Sequence, residues 1–200
     1  MKETGLMFKA PLVRAILSGQ KTQTRRIVNW RDLQPGLNLG FSGLKVFSNT
    51  PNTFTLESQS RNGWESRSGP TRCPMGQPGD RIYVRETFAQ HPQFADLAYR
   101  AEGEEFEDSD GALWVPKWTP AIHMPRKLAR IWLEITGVRV ERLQSISRGD
   151  AMAEGCPVPN MADGEDPRDW FAEVWKSTGG DWAANPWVWV IDFKRIEKPR

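Results

Sequence analysis

Cysteine, histidine and tyrosine are scarce in this 200-residue chain, with two of each. Cys73 and Cys156 are too few and too far apart for a disulfide framework, so two reduced thiols are expected. Neither they nor His91 and His123 show the paired spacing of a zinc site, and no metal or cofactor is expected. Long apolar runs are also missing. No stretch approaches the roughly 18 residues that span a bilayer, so no membrane partner is expected. Lys9 and Arg14 interrupt any signal-like apolar stretch near the start, which leaves a cytoplasmic reading. The phosphate-binding patterns G-x-x-x-x-G-K-[ST] and G-x-G-x-x-G are absent, as is the G-x-S-x-G nucleophile elbow. No internal repeat is found, and a net charge of +2 excludes a polycation of the histone kind.

What remains is the composition of a globular domain, 38% hydrophobic and 26% charged, with ten tryptophans. The small net charge conceals local polarity. Residues 1–30 carry Lys2, Lys9, Arg14, Lys21, Arg25 and Arg26 against Glu3 alone. Residues 101–110 hold six acids and no base, and residues 124–148 are basic again. Such runs are ordinarily solvated faces, but two basic segments on one face would suit nucleic acid.

Local patterns give an outline. Pro11, the Leu12–Ala15–Ile16 spacing and Gly19 predict a short first helix. Residues 34–70, rich in Gly, Ser, Asn, Thr and Pro, read as part of an extended, loop-rich insertion at about 31–70. Alternation over Arg81–Phe88 puts Ile82, Val84, Glu86 and Phe88 on one face of a strand. A longer strand-like region covers Lys127–Leu143 with an interruption at Gly137, and Trp187–Phe193 closes the chain as a strand. Ser147 and Asp150 cap a helix that Gly155 stops, and Asp166-Pro167 opens another. Strands outnumber helices without βαβ spacing. A single α+β domain built on a small antiparallel or mixed β-barrel with flanking helices fits best.

The stretch Lys21-Thr22-Gln23-Thr24-Arg25-Arg26 concentrates cations and hydroxyls with no carboxylate, a set suited to phosphate or a base edge. Glu86, inward on its strand beside Arg85, needs a buried partner such as Lys21 or Arg26. Trp114, Trp118 and Trp132 interleave with Lys117, Arg126, Lys127 and Arg130, the mixture used to stack bases and hold phosphates.

The run Ile16-Leu17-Ser18-Gly19-Gln20-Lys21-Thr22-Gln23-Thr24-Arg25-Arg26 resembles the opening I-L-x-G-x-K-T-x-T-x-R of the ASCH domain, a relative of the PUA-like RNA-binding barrels. Pro78-Gly79-Asp80, Ile131–Ile135, Arg142–Gly155 and Trp187–Phe193 are similar to its later segments. Met124-Pro125-Arg126 and Asn185-Pro186-Trp187 look like its phage and prophage branch. The resemblance implies an ASCH/PUA-like barrel that binds a modified nucleoside or RNA. Some small bacterial members are amidohydrolases that deacylate N4-acetylcytidine with a lysine, a threonine and a glutamate. Those roles fall on Lys21, Thr24 and Glu154, with Arg25, Arg26, Arg85, Glu86, Trp114, Trp118 and Arg126 as candidate substrate or nucleic-acid contacts. A non-catalytic RNA-binding module, or a ribonuclease of phage origin, is the alternative that the resemblance leaves open.

Overall fold

The last strand organises the molecule because it is apolar on both sides. In the computed structural model, which describes residues 1–93, 95–157 and 166–199, Trp187–Ile196 forms a ten-residue strand at the heart of a five-stranded mixed sheet. Trp189, Ile191 and Phe193 face one core with Ile82, Val84 and Leu133, while Val188 and Val190 face a second with Leu143, Phe171 and Trp175. Burial on both faces explains the continuous apolar run where a half-exposed strand would alternate.

In chain order the elements are β1 (Glu3–Met7), α1 (Ala10–Leu17), β2 (Gln23–Ile27), β3 (Leu44–Thr50), β4 (Thr53–Ser60), β5 (Gly63–Ser66), β6 (Arg81–Arg85), β7 (Phe88–Gln90), β8 (Leu97–Tyr99), β9 (Phe106–Glu107), β10 (Leu113–Trp114), β11 (Trp132–Arg142), α2 (Arg148–Ala153), α3 (Pro167–Ser177) and β12 (Trp187–Ile196). The main sheet runs β1-β6-β11-β12-β2, so the chain is α+β and mostly sheet. β1 is parallel to β6, the other pairings are antiparallel, and the ladder between β11 and β12 shifts register between Ile135 and Gly137. Both helix caps form as their residues dictate: Ser147 Oγ accepts from the Asp150 amide, and the Asp166 carboxylate from the Arg168 amide.

The hydrogen-bonded ladder stops at its two ends. Among the described residues β1 and β2 do not pair with each other; instead the Arg26 guanidinium reaches across from β2 to the Met7 carbonyl at 3.0 Å. A cleft lies along this seam.

Residues 44–66 differ from the loop-rich reading of the insertion. They fold as an antiparallel meander, β3-β4-β5. Leu44, Phe54 and Leu56 are buried, and Phe54 meets Trp189 edge-on at 5.4 Å. The polar composition misleads here because Thr53 and Thr55 are β-branched and favour strands despite their hydroxyls.

At Pro78-Gly79-Asp80, Gly79 takes φ +89 and the Asp80 carboxylate accepts from the Lys2 amide (2.7 Å) and the Gln77 amide (3.1 Å). The Lys2 bond, chiefly, holds the Asp80 carboxyl below the usual carboxylate range. Its contribution is therefore present above the unfolded-state pKa and is lost as pH falls through the lowered folded-state one. Asp80→Asn is expected to lower stability by about 1–2 kcal/mol near neutral pH, with a smaller deficit in acid, as read by denaturant unfolding.

Candidate functional site

Lys21 is placed by a turn fastened on three sides. Gly19, at φ +78, ends α1, and the Lys21 amide then donates to the Ala15 carbonyl at 2.9 Å. The Thr22 amide donates to Ala153 O at the end of α2, and Thr22 O accepts from the Phe193 amide of β12. The end of α2 comes this close because residue 155 is glycine. At φ +100 a side chain is strained, and an added Cβ would lie 3.0 Å from that of Ala15 and 3.2 Å from that of Lys21.

This approach brings the Glu154 side chain onto Lys21. The two residues are 4% and 2% exposed, and Nζ lies 2.5 Å from Oε2. Nζ also donates to Gln23 O (2.7 Å) and Glu154 O (2.9 Å), so every ammonium proton has an acceptor. Burial is the largest influence on the lysine and pushes its pKa down; Glu154 opposes this, and Arg26 and Arg25 add to the downward shift.

Arg25 lies beneath the pair rather than on the surface. Its side chain is fully buried, with Nη1 3.2 Å from Glu154 Oε1 and 2.5 Å from Gln23 Oε1. Nη2 stands 3.5 Å from both Glu141 and Asp150. Arg139 joins Glu141, Asp150 and Asp192 at 2.6 to 2.9 Å, and the Gln23 amide bridges Asp150 and Asp192. Sequence reasoning missed Gln23, Arg139, Glu141, Asp150 and Asp192 as neighbours of the site. The alternation Gln23-Thr24-Arg25-Arg26 was the available signal. Read as a strand, it sends Gln23 and Arg25 to one face and Thr24 and Arg26 to the other.

That alternation turns Thr24 away. It pairs with Ile191, whereas Arg25 pairs with Val190 on the opposite face of β12. The Thr24 hydroxyl accepts from Arg26 Nη1 at 3.2 Å; among the described residues it makes no hydrogen bond to Lys21 or Glu154. The structure thus joins Lys21 to Glu154 directly and leaves Thr24 linked to Arg26.

Two solved structures resemble the chain at low identity. An ASCH domain from Lactobacillus crispatus JV V101 is 14% identical, with a TM-score of 0.41 over 98% of this chain and 81% of that one. A DUF984-family protein from Enterococcus faecalis V583 is 10% identical, with a TM-score of 0.40 over 98% of this chain and 82% of that one. No family model matches the sequence, and no curated protein sequence is similar to it.

The remaining candidates lie elsewhere in the chain. Glu86 is buried as its alternation requires, but its partner is Arg130, not Lys21 or Arg26: Nε and Nη2 contact its two oxygens at 2.9 and 3.0 Å. β11 pairs with β6 and leads Arg130 to that carboxylate, a non-local contact with no local sequence signal. Arg85 donates to Ile122 O, and Arg126 pairs with Glu3 at 2.6 Å while lying 4.8 Å over the Trp132 ring. Trp132 itself is fully buried. Trp114 and Trp118 flank Phe106 at 6.2 and 6.0 Å beside the acidic loop, where the Trp118 indole donates to Glu104. None of these five joins the Lys21 cluster. Among the described residues no group of three or more side chains has the arrangement of a metal site, and no helix is long and apolar enough to cross a membrane.

The seam between β1 and β2 opens into a cleft of about 650 Å³. Phe8, Arg25, Arg26 and Trp175 line it. Arg25 and Phe8 connect it to the buried pair, since Phe8 packs 5.8 Å from Lys21 Nζ and 5.5 Å from the Arg26 guanidinium.

Proposed function

We propose that this chain acts as one ASCH-type unit and is a metal-independent amidohydrolase that removes the acyl group from an N4-acetylcytidine-like base. The observation that carries this reading is the Lys21–Glu154 pair, a buried lysine of lowered pKa held on a carboxylate behind Phe8 and Arg25, which line a cleft large enough for a nucleoside. A lysine so shifted exchanges a proton nearer neutrality than an exposed one does.

The step consumes one water. Neutral Lys21 takes a proton from water, directly or through the Thr24 hydroxyl, as the oxygen attacks the acyl carbon. The resulting oxyanion is stabilised by the ammonium that Lys21 becomes on taking this proton. The C–N bond then breaks. The proton held by Lys21 and Glu154 passes to the leaving amine, which gives a carboxylic acid and the free base and restores the pair. Thr24 meets this role once the substrate displaces its bond from Arg26.

Incubation of the protein with N4-acetylcytidine, with and without a chelator, is expected to yield cytidine and acetate at equal rates by chromatography. No product at high enzyme concentration overturns the hydrolytic reading. A second reading, RNA recognition without chemistry, is favoured by one observation: the resting Lys21 has all its protons committed. It predicts RNA binding that weakens steeply with salt and no turnover.

A further inference from the structure

Among the described residues the seam cleft is lined by cations and by no carboxylate. The cations are Lys9, Arg25 and Arg26. Arg25 is committed to carboxylates beneath the cleft, but Arg26 is not. Its guanidinium donates to the carbonyls of Met7 and Arg25 and to the Thr24 hydroxyl and lies over the Phe8 ring, with no carboxylate in ion-pair reach among the described residues. Burial is the largest influence on its pKa and pushes it down, and the charge of Glu154 opposes this from beyond ion-pair distance.

Two independent features of the same cleft also ask for an acceptor. α1 begins at its rim, where Lys9 supplies no side-chain cap and the first turn holds no acid, so the amide end of the helix is open to an anion. Across the cleft the Trp175 indole N–H, in a residue 8% exposed, has no hydrogen-bond partner among the described residues. Phe8 and Trp175 add flat apolar walls, so a bare inorganic anion would leave them unused.

We propose that the cleft is an anion site for the phosphate ester of a cytidine nucleotide, received between Arg26, Lys9 and the start of α1. Resting on the hydrolytic reading above, this makes the substrate of the Lys21 site a phosphorylated nucleotide, free or within RNA, in preference to a nucleoside. The base lies against Phe8 toward Lys21, and the phosphate takes the place of the missing carboxylate.

Calorimetric titration with cytidine, cytidine 5′-monophosphate, inorganic phosphate and a short cytidine-containing RNA tests the site. The monophosphate is expected to bind at least about tenfold more tightly than cytidine, with an advantage that shrinks in high salt. Arg26→Gln and Lys9→Gln are each expected to narrow that ratio several-fold. Lys9→Gln keeps the test informative if loss of the Arg26–Met7 bond prevents folding. A preference for RNA over the free nucleotide, lost in the same variants, supports the site and places the phosphate within a chain. Equal affinity for cytidine and its monophosphate, or a ratio unchanged in Lys9→Gln, overturns the inference. Deacylation of N4-acetylcytidine with no gain from a 5′-phosphate leaves the hydrolytic reading standing and removes this one. Tight, variant-sensitive nucleotide binding without turnover does the reverse.

Discussion

Replacing Lys21 with methionine is expected to slow deacylation by about 10²–10⁴-fold, the usual worth of a positioned general base. Methionine keeps most of the side-chain volume, and Arg25 still compensates Glu154, so the variant should fold. The pH profile separates a base from a mere strut. Lysine accepts a proton only when neutral, so the rate should rise with pH and level off. Because burial lowers the Lys21 pKa from its ordinary 10.5, the midpoint should fall below that value. Glu154 favours the ammonium form, so Glu154→Gln should shift the midpoint lower still while reducing the plateau rate. A Lys21→Met protein that turns over at the native rate, or a profile flat from acid to alkali, excludes Lys21 as the base.

Arg25→Leu should have the largest effect on stability. The Arg25 side chain is fully buried and stands among Glu154, Glu141 and Asp150. Leucine would leave three carboxylates facing Lys21 and Arg139 alone. Removing one member of a buried charge cluster costs about 3–5 kcal/mol, since the partners keep their desolvation penalty and lose their attraction. In a chain of 200 residues that is a fall in Tm of roughly 6–20 °C, measurable by thermal unfolding. Asp150 gives the pH sign. Burial raises its pKa, but hydrogen bonds from Gln23 and Ser147 and the charges of Arg25 and Arg139 outweigh burial, so the net shift is downward. Its stabilisation holds above the unfolded-state pKa and is lost as pH falls through the lowered folded-state one; the deficit of Arg25→Leu should shrink over the same acidic interval. A Tm change of only a degree or two would show that water and neighbouring cations already screen these carboxylates.

How far each feature was legible depended on whether its cause is local. Gly19, Ser147 and Asp166 announce helix ends because caps and positive-φ stops act within a few residues. β12 was legible because it is apolar on both faces, and Gly137 because a glycine amid alternation marks a break in register. β1 and β2 carried no such pattern: their polar residues become strands through pairing with β6 and β12, far along the chain. The same holds for the site. Lys21 and Glu154 were reached through resemblance, yet the geometry joining them depends on Gly155, whose evident role was only to stop a helix. Arg25 and Arg26, adjacent in sequence, were read as one basic pair. The strand sends one into a buried carboxylate network and leaves the other at the cleft, out of ion-pair reach of any described carboxylate.

The open seam also bears on how the protein behaves in a crowded solution. Unpaired strand edges carry free amides and carbonyls that can template the addition of another chain, and natural sheets must cover or blunt them. Here both free edges of the main sheet belong to the same gap, with Arg26 occupying the Met7 carbonyl and a charged, side-chain-filled hollow between them. A strand from a second molecule would have to displace a guanidinium and two aromatic walls to dock there. The recess that admits a small ligand thereby also protects the sheet from polymerising.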